Sequence, residues 1–136
     1  MLRYMLDTDI SIYVIKSRPP ELRDRFDRLA EQLCISAITL AELHFGAEKS
    51  TRQQENLRIV EEFAARLIVL EFSAEAAAHH GQIRAHLTRT GNIVGPYDML
   101  IGGHARSAGL TLVTNNRREF DRMPGLSVEN WAAPTA

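Results

Sequence analysis

Short apolar runs alternate along this chain with stretches whose apolar residues return every three or four positions, the spacing of one helix face. Tyr4-Met5-Leu6 is the first run and predicts a strand, stopped by Asp7. Cys34-Ile35-Ser36, Leu67-Ile68-Val69-Leu70 and Thr111-Leu112-Val113 predict three more, and Val128 a marginal edge strand. These runs are largely apolar throughout rather than alternating, so they read as strands buried on both faces. Thr8 or Asp9 is placed to cap a helix through Ile15. Pro19-Pro20 break the chain and start a second helix, in which Leu22, Phe26, Leu29 and Leu33 form an apolar stripe. A third helix is expected from Thr39 to Lys49. Thr51, with Gln54 three residues on, reads as a capping box for a fourth helix through Arg66. Ser73 opens a long helix ending at Gly91, Pro96 opens another running to Gly109, and a short one carries Phe120.

Strands alternating with helices predict an α/β fold, a parallel sheet covered by helices on both faces. In such sheets ligands bind beyond the carboxyl ends of the strands. The residues just after each strand are therefore the ones to inspect. Asp7 directly follows the first. Glu42 lies in the first turns of the helix after the second. Asn115 and Asn116 follow Thr111-Leu112-Val113, and Asp98 sits two residues after Pro96.

The settings of these acids are unusual. At helical spacing Glu42 shares a face with Ile38 and Phe45, and Asp98 with Ile101, Gly102 and Ala105. A carboxylate among apolar neighbours is costly unless a cation compensates it. No lysine is positioned locally to pair with either. A bound metal accounts for the arrangement, and oxygen-only ligands without cysteine favour Mg²⁺ or Mn²⁺. Such a site suits phosphodiester hydrolysis. Each residue also has a plainer reading: Asp7 as a helix cap, Asp98 as a first-turn acid favoured by the helix dipole, Glu42 as an acid paired with a distant arginine, and Asn116 as a turn or cap residue.

Composition sharpens the picture in a few places. The 136 residues make one domain's worth of chain, so a single domain over 1–136 is expected. One cysteine, Cys34, excludes an internal disulfide and a cysteine-based zinc site. No apolar stretch is long enough for a membrane helix, and acids at Asp7 and Asp9 interrupt the N-terminus, so a cytoplasmic chain is expected. The net charge of −1 by itself argues against a nucleic-acid partner. Yet only Lys16 and Lys49 of the sixteen cations are lysine, and arginine is the better phosphate ligand. His79, His80 and His86 on one helix lack metal-ligand spacing, and they read as surface or core histidines, as do His44 and His104. Cys34 reads as a small buried apolar residue.

Taken in order, these motifs resemble the PIN-domain ribonucleases. Tyr4-Met5-Leu6-Asp7-Thr8-Asp9 is similar to their opening strand and first acid. Ile35-Ser36 through Thr39-Leu40-Ala41-Glu42-Leu43 and Gly46 is similar to the second acid motif, and Gly95-Pro96-Tyr97-Asp98 with Ile101 and Ala105 to the third. Leu112-Val113-Thr114-Asn115-Asn116 with Glu119-Phe120 is similar to the fourth, and Pro124-Gly125-Leu126 through Glu129-Asn130-Trp131 to the C-terminus of VapC toxins. The resemblance spans essentially the whole chain. It implies a three-layer α/β/α sandwich with a short, mainly parallel sheet, and a Mg²⁺- or Mn²⁺-dependent endoribonuclease that stops translation. Asp7 and Asp98 match the family's metal ligands, and Glu42 matches the acid that shares the metal or positions the water. Many relatives carry an acid where this chain has Asn116; Glu119, one turn on, is the auxiliary acid that could restore it. The resemblance further implies a VapB-type antitoxin in a type II toxin–antitoxin pair, DNA contact only through that antitoxin, a homodimer within a toxin–antitoxin hetero-oligomer, and tRNA or rRNA loops as substrate, with the initiator tRNA anticodon loop favoured. Apolar side chains on the helices from Leu22 and Asn56 either form a groove for a partner helix or face only the protein's own core.

Three rival readings share features with this one. A haloacid-dehalogenase-type phosphatase also opens on Asp-x-Asp, as in Asp7-Thr8-Asp9, but needs a downstream lysine. A phosphoacceptor receiver domain needs a lysine after a late strand. Lys16 and Lys49 both lie in the first half. A catalytically weak PIN domain that only binds RNA or a partner is supported by Asn116 alone.

Overall fold

The computed structural model describes residues 1–132; the last four residues of the expected domain, 133–136, lie outside the described residues. Five parallel strands form one sheet in the order β3-β2-β1-β4-β5, with β1 over Tyr4–Leu6, β2 over Leu33–Ser36, β3 over Ile68–Leu70, β4 over Thr111–Val113 and β5 over Val128–Glu129. Seven helices cover it: α1 (Thr8–Lys16), α2 (Pro20–Leu29), α3 (Ala37–Glu48), α4 (Gln53–Ala64), α5 (Ala74–Arg89), α6 (Pro96–Ser107) and α7 (Arg117–Phe120).

The three layers follow from strand alternation. Leu6, Leu33, Ile35 and Val113 point to one face and pack with Ile10 and Val14 of α1, Phe26 of α2 and Val60 and Phe63 of α4. Met5, Cys34 and Leu112 point to the other and pack with Ile83 and Leu87 of α5, Ile101 and Ala105 of α6, and Phe120 of α7. The expected three-layer sandwich is present, and its sheet is parallel throughout. Cys34 is buried as expected, and burial pushes its thiol up to about 12.

The sheet's central strand decides where a ligand can sit. From β1 the chain builds outward through β2 and β3 on one side, and later through β4 and β5 on the other. The crevice between the carboxyl ends of β1 and β4 is the topological switch point.

Several local expectations are corrected. Asp7, not Thr8 or Asp9, is the N-cap of α1, its Oδ1 accepting from the Ile10 N–H at 2.8 Å. Oδ1 reaches that amide because Asp7 is still extended (φ −76°, ψ 176°), as N-caps are. The capping box at Thr51 and Gln54 does not form: α4 begins at Gln53 after Arg52, with no side-chain cap. Leu67–Leu70 is not a doubly buried strand, because β3 is the sheet's edge and Ile68 is half exposed. Phe45, expected beside Glu42 on a buried face, projects into solvent instead.

Two glycines set the position of α6. A Cβ on Gly103 would meet the backbone N and Cα of His80 at 2.8 Å, and one on Gly102 would press on the movable Met123 side chain. Only a glycine, at Gly103, lets α6 approach α5 this closely. That approach brings the N-terminal turn of α6, with Asp98, to the crevice.

Candidate active site

Asp7 is 2% exposed at the end of the central strand, and both its oxygens are engaged. Oδ1 accepts from the Ile10 amide at 2.8 Å, and Oδ2 accepts from the Thr114 hydroxyl at the end of β4. Burial raises its pKa from 3.8 to about 6; the Thr114 and Ile10 hydrogen bonds oppose the rise, and the charges of Asp9 and Glu42 add to it. Asp7 is thus both the cap of α1 and a buried acid, two roles that sequence spacing presents as competing.

Asp98, in the first turn of α6, is half-buried, and its pKa is pushed from 3.8 to about 8. Burial is the main cause. Glu119 of α7 is the next cause, followed by the charges of Asp7 and Asp9. Glu42 faces the same centre from α3, and Thr8 Oγ1 donates to its Oε1 at 2.6 Å. Thr8 Oγ1 also lies 3.3 Å from Thr39 Oγ1.

Five carboxylates therefore form a linked set: the charges of Asp9 and Glu42 act on Asp7, and those of Glu119, Asp7 and Asp9 on Asp98. No salt bridge among the described residues involves any of them. The distant arginine that would have explained Glu42 is absent among the described residues. Mutually repelling, partly desolvated carboxylates without a protein cation are the donor set of a divalent ion. As placed, no three His, Cys, Asp or Glu side chains of the described residues converge tightly enough to enclose an ion. The acids fit a site completed by water and substrate oxygens, the usual coordination of Mg²⁺.

The residue that reaches the centre from β4 is not the one sequence spacing favours. Asn116 occupies the N-cap position of α7 without a side-chain cap bond, and its backbone N–H donates to Thr114 Oγ1 at 2.8 Å. Thr114, fully buried, is what touches Asp7. Thr114 and Thr8 were missed because threonine at a strand or helix end is too common to single out. Thr8 stands next to Asp7 in sequence, which was a signal for it; Thr114 had none. Glu119 is near enough to Asp98 to raise its pKa. After Thr114, Asn115 Oδ1 is buried without a hydrogen-bond partner among the described residues. His104 lies outside the acid centre: it is buried, 2.8 Å from Ser36 Oγ and edge-on to Phe72.

An apolar groove of about 410 Å³ runs alongside, lined by Ile12, Ile15, Leu43, Ala47, Ile59 and Val60 among others. It lies between α1, α3 and α4. The stripe of α2 expected to share in it is interior instead, with Leu22 and Phe26 buried in the core. No helix of the described residues is long and apolar enough to cross a membrane.

Comparison with known proteins points one way. Residues 4–126 match the model of the PIN domain. The "tRNA(fMet)-specific endonuclease VapC" of Salmonella typhimurium is 53% identical over 131 residues, 96% of this chain and 99% of its own length. The Shigella flexneri protein of the same name is 52% identical, over 97% of this chain and 100% of its own. The structure of "DNA bound VapBC from Salmonella typhimurium" superimposes with a TM-score of 0.93 at 53% identity, covering 96% of this chain and 99% of that one.

Proposed function

We propose that this chain, which belongs to the PIN-domain family and within it to the VapC ribonucleases, cleaves initiator tRNA as the toxin of a type II toxin–antitoxin pair. The haloacid-dehalogenase-type and receiver-domain readings fall with that membership. The observation that carries the activity is the set of five neighbouring carboxylates at the switch point of the sheet, none paired with a protein cation among the described residues.

Asp7 and Asp98 are the proposed ligands of one divalent cation, Mg²⁺ or Mn²⁺, with Glu42 sharing it or positioning the attacking water. When bound, the ion supplies charge neutralisation on the scissile phosphate and acidifies the attacking water. The protein's part is positional. The Ile10 amide and the Thr114 hydroxyl hold the Asp7 carboxylate from two sides. The Thr8 hydroxyl holds Glu42. Glu119 is the proton partner of Asp98, and Asn116 contributes through its amide to Thr114 rather than as a ligand.

The relatives' names carry the finer proposals. The substrate is a tRNA, with the initiator anticodon loop as the cleaved segment, since an unpaired loop can reach a crevice. The partner is a VapB-type antitoxin, seated on the apolar groove between α1, α3 and α4, in a hetero-oligomer built on a toxin homodimer, with DNA contacted through the antitoxin. Action in the cytoplasm follows from that substrate. A single PIN domain over 1–136 accounts for the whole chain.

Purified protein incubated with total RNA, with and without Mg²⁺, tests this beside Asp7→Ala and Asp98→Asn. Metal-dependent cleavage of one tRNA, absent in both variants, is expected. Cleavage that persists in excess chelator, or in both variants, overturns it. Co-expression of a VapB-type partner relieves the growth arrest.

A further inference from the structure

Among the described residues, three aromatic side chains stand in solvent: Tyr13, Phe45 and Tyr97. Phe45, on α3, is 65% exposed, and Tyr97, in the first turn of α6, is 55% exposed. These two come from separate elements, yet both line one depression of about 590 Å³. Its wall also includes Thr8, Asp9 and Glu42, so it opens directly onto the acid centre. Tyr97 is the residue before Asp98, and Phe45 lies one helical turn beyond Glu42.

Neither ring has an internal partner that explains it. Neither makes an aromatic ring contact among the described residues; Phe45 has only the Lys49 ammonium above it, 5.1 Å from its centroid. Lys49 lines the same depression and takes no part in a salt bridge among the described residues. Exposed aromatic faces beside a free cation, next to a phosphodiester-cutting centre, have the chemistry of a single-strand platform: bases stack on the rings and a phosphate meets the ammonium.

We propose that Phe45 and Tyr97 form a base subsite that takes one unpaired nucleobase flanking the scissile phosphate, with Lys49 on the adjoining phosphate. This rests on the ribonuclease reading of the acid centre. It adds a reason for single-strand selectivity: a base stacked within a duplex cannot turn onto either ring. The subsite is indifferent to base identity through its faces, so it selects an accessible nucleotide and leaves the choice of RNA to contacts elsewhere.

The test uses binding rather than cleavage. Fluorescence anisotropy measures the affinity of the full chain carrying Asp98→Asn for a labelled single-stranded RNA decamer, the same decamer with one abasic nucleotide at each position in turn, and its duplex. Phe45→Ala and Tyr97→Ala are added to that background. Each is expected to weaken single-strand binding about 5- to 150-fold, as loss of one stacked base does. Phe45→Trp restores it. One abasic position reproduces the loss and adds nothing to it in the alanine variants. Unchanged melting temperatures show that both variants fold. Equal affinity of the parent and alanine variants, or equal losses on intact and abasic RNA, overturns the subsite; the rings then serve an antitoxin or a second copy of the chain. Failure of the unmutated chain to cut any RNA overturns the ribonuclease reading instead.

Discussion

Asp7→Asn is expected to abolish activity and, without metal, to stabilise the protein. Asparagine is as good an N-cap as aspartate, so the Ile10 hydrogen bond survives. What disappears is a buried charge, together with the oxygen that accepts the Thr114 hydroxyl, a loss that offsets about 1–2 kcal/mol of the gain. The folded carboxyl sits at about 6 against 3.8 unfolded. Below 3.8 the group is protonated in both states, and the folded protein bears no cost. As pH climbs from 3.8 through 6 the unfolded chain ionises more readily than the folded one. The stability held at low pH is therefore lost across that window, about 3 kcal/mol in all by about pH 7. Because Asp7 is 2% exposed, solvent screening recovers little of it.

At this chain length each kcal/mol moves the midpoint by about 4 °C, so after the lost Thr114 hydrogen bond a gap of roughly 4–8 °C is expected. Thermal unfolding followed by circular dichroism in excess chelator measures it. Asp7→Asn should melt above the parent at about pH 7.5, and the gap should close as pH falls toward about 3.5. Asp98 titrates in both proteins, but the Asp7 charge helps raise it, so loss of that charge in Asp7→Asn lowers the Asp98 pKa and adds to the gap near neutral pH. Adding Mn²⁺ should raise the parent's midpoint and leave that of Asp7→Asn nearly unmoved. An Asp7→Asn protein less stable than the parent at pH 7.5, or a gap that does not shrink toward acid, refutes the claim that Asp7 is an uncompensated buried charge.

Thr114→Val keeps the side chain's volume but removes the hydroxyl that holds Asp7 and accepts the Asn116 amide; Mn²⁺ affinity by calorimetry near neutral pH should fall roughly 10-fold, recovering in part at higher pH, at a stability cost of about 1–3 kcal/mol. Glu119→Gln removes a charge that raises Asp98, so the acid limb of the rate profile should move to lower pH; a uniform loss at every pH would instead make Glu119 a ligand. Gly103→Ala forces a Cβ against the His80 backbone, and urea denaturation should show a loss of about 1–3 kcal/mol with the slope unchanged.

The strands and the crevice were legible because both rest on local patterns. Apolar runs ended by Asp7 and Thr114 mark the carboxyl ends of β1 and β4, and the rule that ligands gather there holds for any parallel sheet. What was not legible depends on neighbours distant in sequence. Thr114 is 107 residues from Asp7 and Thr8 is 34 from Glu42, so no spacing rule connects them. Phe45 reads as core at helical spacing from Glu42, since periodicity shows which residues share a face and not what covers that face. The capping box expected at Thr51 fails for the same reason: the motif is a local preference, and α4 starts where packing of Val60 and Phe63 sets it.

The acid cluster raises the question of how a domain folds around five carboxylates with no arginine among them. Helix ends supply part of the answer. Asp7 caps α1, Asp9 lies in its first turn, Asp98 in the first turn of α6 and Glu119 in that of α7. A helix N-terminus carries about half a positive charge, and an acid there gains about 0.3–1 kcal/mol, more when partly buried. That offset is smaller than the cost of burying Asp7, which is why the pKa values of Asp7 and Asp98 remain raised. An arginine in the centre would remove the cost and also the site, since it would occupy the carboxylates a cation needs. The domain therefore carries a net charge of −1 that is an average over two regions. An uncompensated acidic crevice lies at the carboxyl ends of β1 and β4, and the exposed Lys49 lines the depression that opens onto it. Near-neutral total charge is then what a small metal-dependent nuclease should have, because the acids that do the chemistry and the cations that meet the phosphates cancel only in the sum.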